Sequence, residues 1–296
     1  MHPYQRLLLV ANPVMRHGLA IKRAAQLALA SGASLHLAVF EKVPDMLPFL
    51  EKEIQDSANS CHLDALNDWL RDEAQLLRSQ GITVTTEVTW NDALVQTILD
   101  QVEHSQADML IKDTQHENVL KRTFITPLDW HLLRQCPVPV HLIGPAGHAR
   151  PEVIIAAVDA ASPDALRNGL NARIIGQAQR LAEQTDAQLH LIHALDLSSV
   201  YFADATGSTL NWADLWAHVQ VEVEKTFYMM AEQHRISRDL CHLQVGSPLQ
   251  VLAEMAERLR ADVVVMGRVH RSGMNKLVGS TTEHLLYRSP CGILAV

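Results

Sequence analysis

The chain has 296 residues, 48% of them hydrophobic and 20% charged, with a formal net charge of -8. At roughly 100–200 residues per domain this predicts about two domains, and the acidic balance argues against nonspecific nucleic-acid binding, which needs basic surface to neutralise phosphates. Cys61, Cys136, Cys241 and Cys291 form no CxxC pair and no apolar run reaches membrane-span length, so a cytoplasmic protein with reduced thiols is expected, with no membrane partner.

In chain order, Arg6 to Asn12 is an apolar, β-rich run ending in Asn-Pro. Leu19 to Ala30 has helical spacing, and Ala33 to Phe40 reads as a strand. Asp64 to Ser79 is a helix with Leu66, Trp69, Leu70, Leu76 and Leu77 on one face, stopped by Gly81. Ile82 to Trp90 (strand), Ala93 to His104 (helix), Met109 to Lys112 (strand), Pro127 to Arg134 (helix) and Val138 to Ile143 (strand) complete the first half. The segment Gly144 to Pro151, GPAGHARP, reads as a linker. The second half is predicted to run Val153–Val158, Ala165–Ala182, Gln188–Ala194, Trp212–Gln233, Cys241–Val245, Leu249–Leu259, Val263–Gly267, Thr282–Arg288 and Ile293–Val296, alternating strand and helix.

The halves repeat. A constant shift of 154 aligns Leu35-His36-Leu37 with Leu189-His190-Leu191, Ala107-Asp108 with Ala261-Asp262, His116 with His270, and Asp129 with Glu283. Continuous apolar strands such as Val263 to Met266 imply burial on both faces, hence a parallel sheet between helices. The expected fold class is α/β, with two tandem doubly wound open parallel-sheet domains, 1–144 and 152–296.

Ligands of such sheets bind beyond the carboxyl ends of the strands, where the strand order reverses. Asp159 ends the first strand of the second half; its carboxylate can accept from an adenine amino group or a ribose, or serve as a turn residue before Ser162-Pro163. Gly246 follows the third strand and permits close backbone approach, with Ser247 as a helix cap and Pro248 in the first turn. Beyond Gly267 a basic, glycine-containing loop with Arg268, Arg271, Gly273 and Lys276 leads to Gly279, Ser280, Thr281 and Glu283. Free N–H groups at a helix start, with the Ser280 and Thr281 hydroxyls, make an anion site. Ser280 to Glu283 is also a capping box, which explains those two residues without a ligand.

These residues resemble the signature of the universal stress protein family: Gly, two residues, Gly, nine residues, then Gly with Ser or Thr. The stretch Phe124 to Val140 and the tandem length resemble its two-domain members. The resemblance implies the adenine-nucleotide α-hydrolase-like fold, two domains arranged as a pseudo-dimer with a possible further homodimer, and a stress-response role. It also implies ATP, ADP or AMP, with Mg, at Asp159, Gly267, Gly279, Ser280 and Thr281, with Gly273 as a loop glycine; Gly246, for its close backbone approach, and His270, in the same loop, complete the candidate nucleotide-binding set. Two departures stand out. His270 occupies the place of the second glycine, and Gly279 arrives one residue early. In the first half Asn12, Asp113 and Ile125 replace Asp159, Gly267 and Gly279, so that phosphate loop is degenerate and a structural role is expected.

Sixteen histidines leave zinc open, although no HExxH or local HxxxH pattern supports it. His190 and His193, three apart on one strand, face opposite sides of the sheet. No nucleophile elbow, zinc-protease motif or complete Walker loop is present, so no catalytic residue is assigned and weak ATP hydrolysis is the most that is expected. The alternatives to a nucleotide binder are an interaction scaffold without nucleotide and a binder of another small or amphipathic ligand or of zinc. The long connection Leu197 to Asn211 is a candidate lid.

Overall fold

The computed structural model describes residues 2–42, 49, 51–114, 128–144, 147–196, 212–268 and 291–296. The chain forms two compact units, 2–150 and 151–296.

The first unit contains β1 (Arg6–Val10), α1 (Leu19–Ser31), β2 (Ser34–Glu41), α2 (Lys52–Ser79), β3 (Val84–Trp90), α3 (Leu94–His104), β4 (Met109–Asp113), α4 (Leu128–Gln135) and β5 (Val140–Ile143). Its strands are parallel and ordered β3-β2-β1-β4-β5. Burial follows this order. Every residue of the inner strand β4 is buried, whereas in the edge strand β3 only Val84 is, with Thr85 and Thr86 exposed. Helix α1 packs on β1, β2 and β4, and α2 on β3 and β2; α3 lies on β2 and against α4, which covers β5.

The second unit contains β6 (Val153–Ala157), α5 (Pro163–Arg167), α6 (Leu170–Thr185), β7 (Gln188–Leu195), α7 (Trp212–Gln233), β8 (Cys241–Val245), α8 (Pro248–Arg258), β9 (Val263–Met266) and β10 (Gly292–Ala295). The parallel order β8-β7-β6-β9-β10 repeats that of the first unit. Val251, Leu252 and Met255 of α8 form a core with Ile155, Ile192, Val264 and Ile293 from four strands.

Repeated sequence becomes repeated chemistry. Just before β4, the Asp108 carboxylate accepts the backbone N–H groups of Gln5 and Arg6 where β1 begins. Its counterpart Asp262 accepts those of Glu152 (2.7 Å) and Val153 (3.2 Å) where β6 begins. In each unit one carboxylate, half-buried at Asp108 and buried at Asp262, thus satisfies two backbone donors at the start of the central strand. The helices preceding β2 and β7 also end alike, at Gly32 and Asp186 in left-handed conformation, each cap N–H bonded to the carbonyl four residues back.

Two elements differ from expectation. Helix α2 starts at Lys52, twelve residues before the amphipathic stripe at Asp64; the leading part is mostly exposed and polar, but no Gly or Pro interrupts it, so the helix runs on past the core it serves. The helix expected over Ala165 to Ala182 is two, divided at Gly169, whose φ of +71° is left-handed. This break belongs to an insertion. Asp159 and Leu189 are 30 positions apart, Asn12 and Leu35 only 23. The helix expected over Thr282 to Arg288 and the candidate lid 197–211 lie outside the described residues.

Candidate functional site

In the second unit β6 has β7 on one side and β9 on the other, so the strand order reverses at β6. The register Ala157↔Met266 brings the ends of β6 and β9 level. Asp159 and Gly267 leave those two ends, and a crevice at this place is where doubly wound sheets take ligands.

The turn after β6 is held from two sides. Asp159 Oδ1 accepts the N–H groups of Ala161 (3.1 Å) and Ser162 (3.0 Å). Ser162 in turn caps α5, accepting from Ala165 N–H at 3.3 Å, with Pro163 in the first turn. Asn171, buried at the start of α6, donates through Nδ2 to the Asp159 carbonyl (2.8 Å) and accepts the Asp159 N–H on Oδ1 (2.9 Å). The turn reading of Asp159 is the one this geometry bears out. Asp159 builds the turn with one oxygen, and it is exposed, with no donor for Oδ2 among the described residues. Sequence reasoning missed Asn171 because it falls inside the helix that was read as continuous.

His193, near the end of β7, closes the turn from beneath. It is 2% exposed. Its Nδ1 lies 3.2 Å from the Val158 carbonyl and 3.3 Å from the Ala160 N–H, and its Nε2 has no hydrogen-bond partner among the described residues. Burial pushes the imidazole below its ordinary value, opposed by the Val158 carbonyl and the Asp159 charge. Phe227 of α7 packs on it, ring centroids 6.2 Å apart.

The two described glycines have reasons inside the protein. Gly246 has φ +149°, a conformation L-residues rarely adopt, and a Cβ there would sit 3.1 Å from Val251. A Cβ on Gly267 would lie 2.7 Å from the side-chain tip of Leu170, so the first residue of α6 already fills that space. Ser247 caps α8 by accepting from Gln250 N–H (3.4 Å), with Pro248 in the first turn. His270, Gly273, Gly279, Ser280 and Thr281 lie outside the described residues.

The equivalent place in the first unit is a cleft of about 890 Å³ lined by Asn12, Phe40, Asp92, Lys112, Asp113 and His131 among others. Lys112 is only 4% exposed; its ammonium pairs with Asp129 Oδ1 (2.8 Å) and donates to the Asp113 carbonyl (2.8 Å). The Asp113 carboxyl is raised above its ordinary value, chiefly by burial, with Lys112 and the Ala20 N–H acting against the rise. Asn12 Oδ1 is taken by Val14 N–H (3.0 Å), a turn role like that of Asp159. Ile125 lies outside the described residues.

His190 and His193 do serve opposite faces. His190 Nε2 meets Gln188 Oε1 at 3.1 Å and Nδ1 meets His242 Nε2 at 2.9 Å. The two rings are tilted by only 26° with centroids 5.2 Å apart. That separation is about the N–N distance plus two ring radii, so this is an in-line imidazole–imidazole hydrogen bond rather than a face-to-face stack. Its counterpart His36 bonds Thr85 Oγ1 and Gln101 Nε2, each at 2.8 Å. Among the described residues no three His, Cys, Asp or Glu side chains cluster to hold a metal, and no helix is long and apolar enough to cross a membrane. All four cysteines are free thiols.

The family model described as the universal stress protein family matches residues 3–144 and again 153–296. The chain belongs to the universal stress protein family. Universal stress protein E of Escherichia coli (strain K12) is 25% identical over 301 residues, covering 99% of this chain and 94% of the relative. The universal stress protein E homolog of Haemophilus influenzae is 23% identical over 301 residues, covering 99% and 97%. A solved structure of a functionally unknown protein from Pseudomonas aeruginosa PAO1 superposes with a TM-score of 0.75 at 30% identity, covering 100% of this chain and 93% of that one. A putative universal stress protein from Pseudomonas aeruginosa UCBPP-PA14 gives 0.73 at 29%, covering 100% and 94%. Two tandem universal stress protein domains, each an adenine-nucleotide α-hydrolase-like parallel sheet, account for the chain.

Proposed function

We propose that the second domain binds an adenine nucleotide in the crevice between the ends of β6 and β9, and that the chain acts in the cytoplasm as a stress-response binding protein whose first domain is structural. Asp159 carries the reading. An exposed carboxylate stands where the strand order reverses, one oxygen fixed by its own turn and the other available to an adenine amino group or a ribose hydroxyl. Gly267, Gly273, Gly279, Ser280 and Thr281, placed by their resemblance to the family signature, supply the backbone and hydroxyl donors for ribose and phosphates, with Gly246 and His270 added from their own positions at the strand end and in the loop. Magnesium would arrive with the phosphates, since phosphate oxygens and water are its usual ligands. No catalytic base is assigned, and hydrolysis is at most slow.

Calorimetry on the full chain with ATP, ADP and AMP, with and without magnesium, tests this. Sub-millimolar binding is expected, weakened at least about tenfold by Asp159→Asn, which keeps the Oδ1 acceptor of the turn but removes the charge, and abolished by Gly279→Val. Absence of binding to the wild-type chain overturns the reading.

The first-domain cleft favours a second reading, a small ligand other than a triphosphate. Lys112 is neutralised by Asp129, so the cleft offers carboxylates and few free cations to a phosphate chain. Native mass spectrometry of the purified chain should then show a co-purified mass that survives Asp159→Asn and is lost in a variant filling the cleft, His131→Trp.

A further inference from the structure

We infer that His193 is a positioning residue for the turn that presents Asp159, and that protonation of its ring releases that turn, so that ligand binding in the second domain weakens in acid. The inference rests on the nucleotide reading for its ligand but not for its mechanism. Nδ1 stands between a carbonyl that needs a donor, Val158 O at 3.2 Å, and an N–H that needs an acceptor, Ala160 N at 3.3 Å. A neutral imidazole answers one of them in each tautomer. With the proton on Nδ1, Val158 is satisfied and Nε2 is a bare lone pair; with the proton on Nε2, Ala160 is satisfied. The imidazolium has donors only. It can keep the Val158 bond, but it faces the Ala160 N–H with another N–H and turns a second N–H toward surroundings that offer Nε2 no acceptor among the described residues.

The surroundings leave few ways to absorb that proton. Leu243 lies opposite on β8, and Phe227 comes from α7; neither titrates. Among the described residues, Asp159 is the charged group whose field is felt at the ring. It sits between the two backbone groups that Nδ1 touches, and its own N–H and carbonyl are bound to Asn171. A charged ring is therefore drawn toward the Asp159 carboxylate, the group proposed to read the ligand, and away from Ala160. Both movements spoil the arrangement that leaves Asp159 Oδ2 available.

The test follows His193 and the turn together in the full-length chain. Nitrogen-15 spectra of the imidazoles report the His193 tautomer and protonation, and the amide resonances of Asp159 to Ser162 report the turn, from about pH 7.5 down to about pH 5. ATP affinity is measured by calorimetry at both ends, for wild type and for His193→Asn. The carboxamide of Asn can accept from Ala160 and donate to Val158 without titrating. The expected result is that the four amides shift with the His193 titration and that ATP binds at least about tenfold more weakly at the acid end. In His193→Asn the affinity should change only by the part due to the ligand's own phosphate titration. If the amides do not follow His193, the latch is overturned whether or not ATP binds. If they follow it and ATP binds at neither pH, the nucleotide reading fails and the latch stands. Equal acid weakening in wild type and His193→Asn also overturns the latch. Should the Asn variant not fold, the amide titration of the wild type decides alone.

Discussion

Asp262 does a backbone's work with a side chain. It is 1% exposed and accepts two main-chain N–H groups. Asp262→Ala should destabilise the second domain by about 1–3 kcal/mol, because two partly buried donors lose a charged acceptor. Asp262→Asn, which retains one acceptor oxygen, should cost less than half as much in the same urea titration. Gly246 yields a second expectation at this scale. Its φ of +149° and the 3.1 Å approach to Val251 make Gly246→Ala cost about 1–3 kcal/mol even without ligand. A loss of stability equal to the loss of ligand affinity would show that this glycine serves the strand-to-helix turn rather than the nucleotide. Residues of this kind were half legible in the sequence. The Ala-Asp pair stood out because it recurs, yet its partners lie more than 100 positions away, and no local pattern names them. Asn171 gave no signal at all, since an Asn within apparent helical spacing looks like any polar surface position.

Among elements, the tie between β4 and α4 is the most exposed to change. Lys112 lies near the end of the strand, Asp129 in the first turn of the helix, and their buried ion pair fixes one to the other at 2.8 Å. Lys112→Met alone should cost the first domain about 3–5 kcal/mol, since it strands a buried carboxylate, while Lys112→Met with Asp129→Leu should recover most of the loss. Hydrogen exchange at Leu110 and Ile111 would measure both. Strands and most helices were legible because apolar runs and amphipathic stripes mark buried faces. The failures were where burial does not govern. The first turns of α2 carry no core face, and the break at Gly169 depends on one residue taking a left-handed conformation. Gly267 entered the candidate site by resemblance alone; the fold adds a reason of its own, since a Cβ there would meet Leu170.

For the whole molecule, buried histidines set the response to acid. His36, His190, His193 and His242 are all held below the ordinary value of 6.5, with burial as the largest cause in each. The unfolded chain takes up these protons near 6.5 and the folded chain only at lower pH. Their contribution to stability is thus complete above about 6.5 and falls away as the pH drops toward the folded values. Asp113 works in the opposite sense in a lower window. Its carboxyl is raised above 3.8, so it opposes folding when ionised and ceases to do so in stronger acid. Scanning calorimetry between about pH 8 and pH 5 should show a melting temperature that is level at first and declines below about 6.5; a decline removed by His36→Asn together with His190→Asn would assign much of it to the paired strand positions.

The clasp at the start of each sheet also has a consequence for the order in which the protein is made. β1 lies between β2 and β4, and its first residues are held by Asp108. On a ribosome the strand at the centre of the sheet emerges first, gains β2 soon afterwards, and waits for roughly a hundred further residues before its other edge and its carboxylate arrive. During that interval one side of an apolar strand stands open to the nascent chain and to its neighbours. The second domain repeats the sequence of events from β6 to Asp262. Pauses in translation that leave β1 and β2 outside the ribosome, with β4 and Asp108 still unmade or within the exit tunnel, would therefore prolong the period in which aggregation competes.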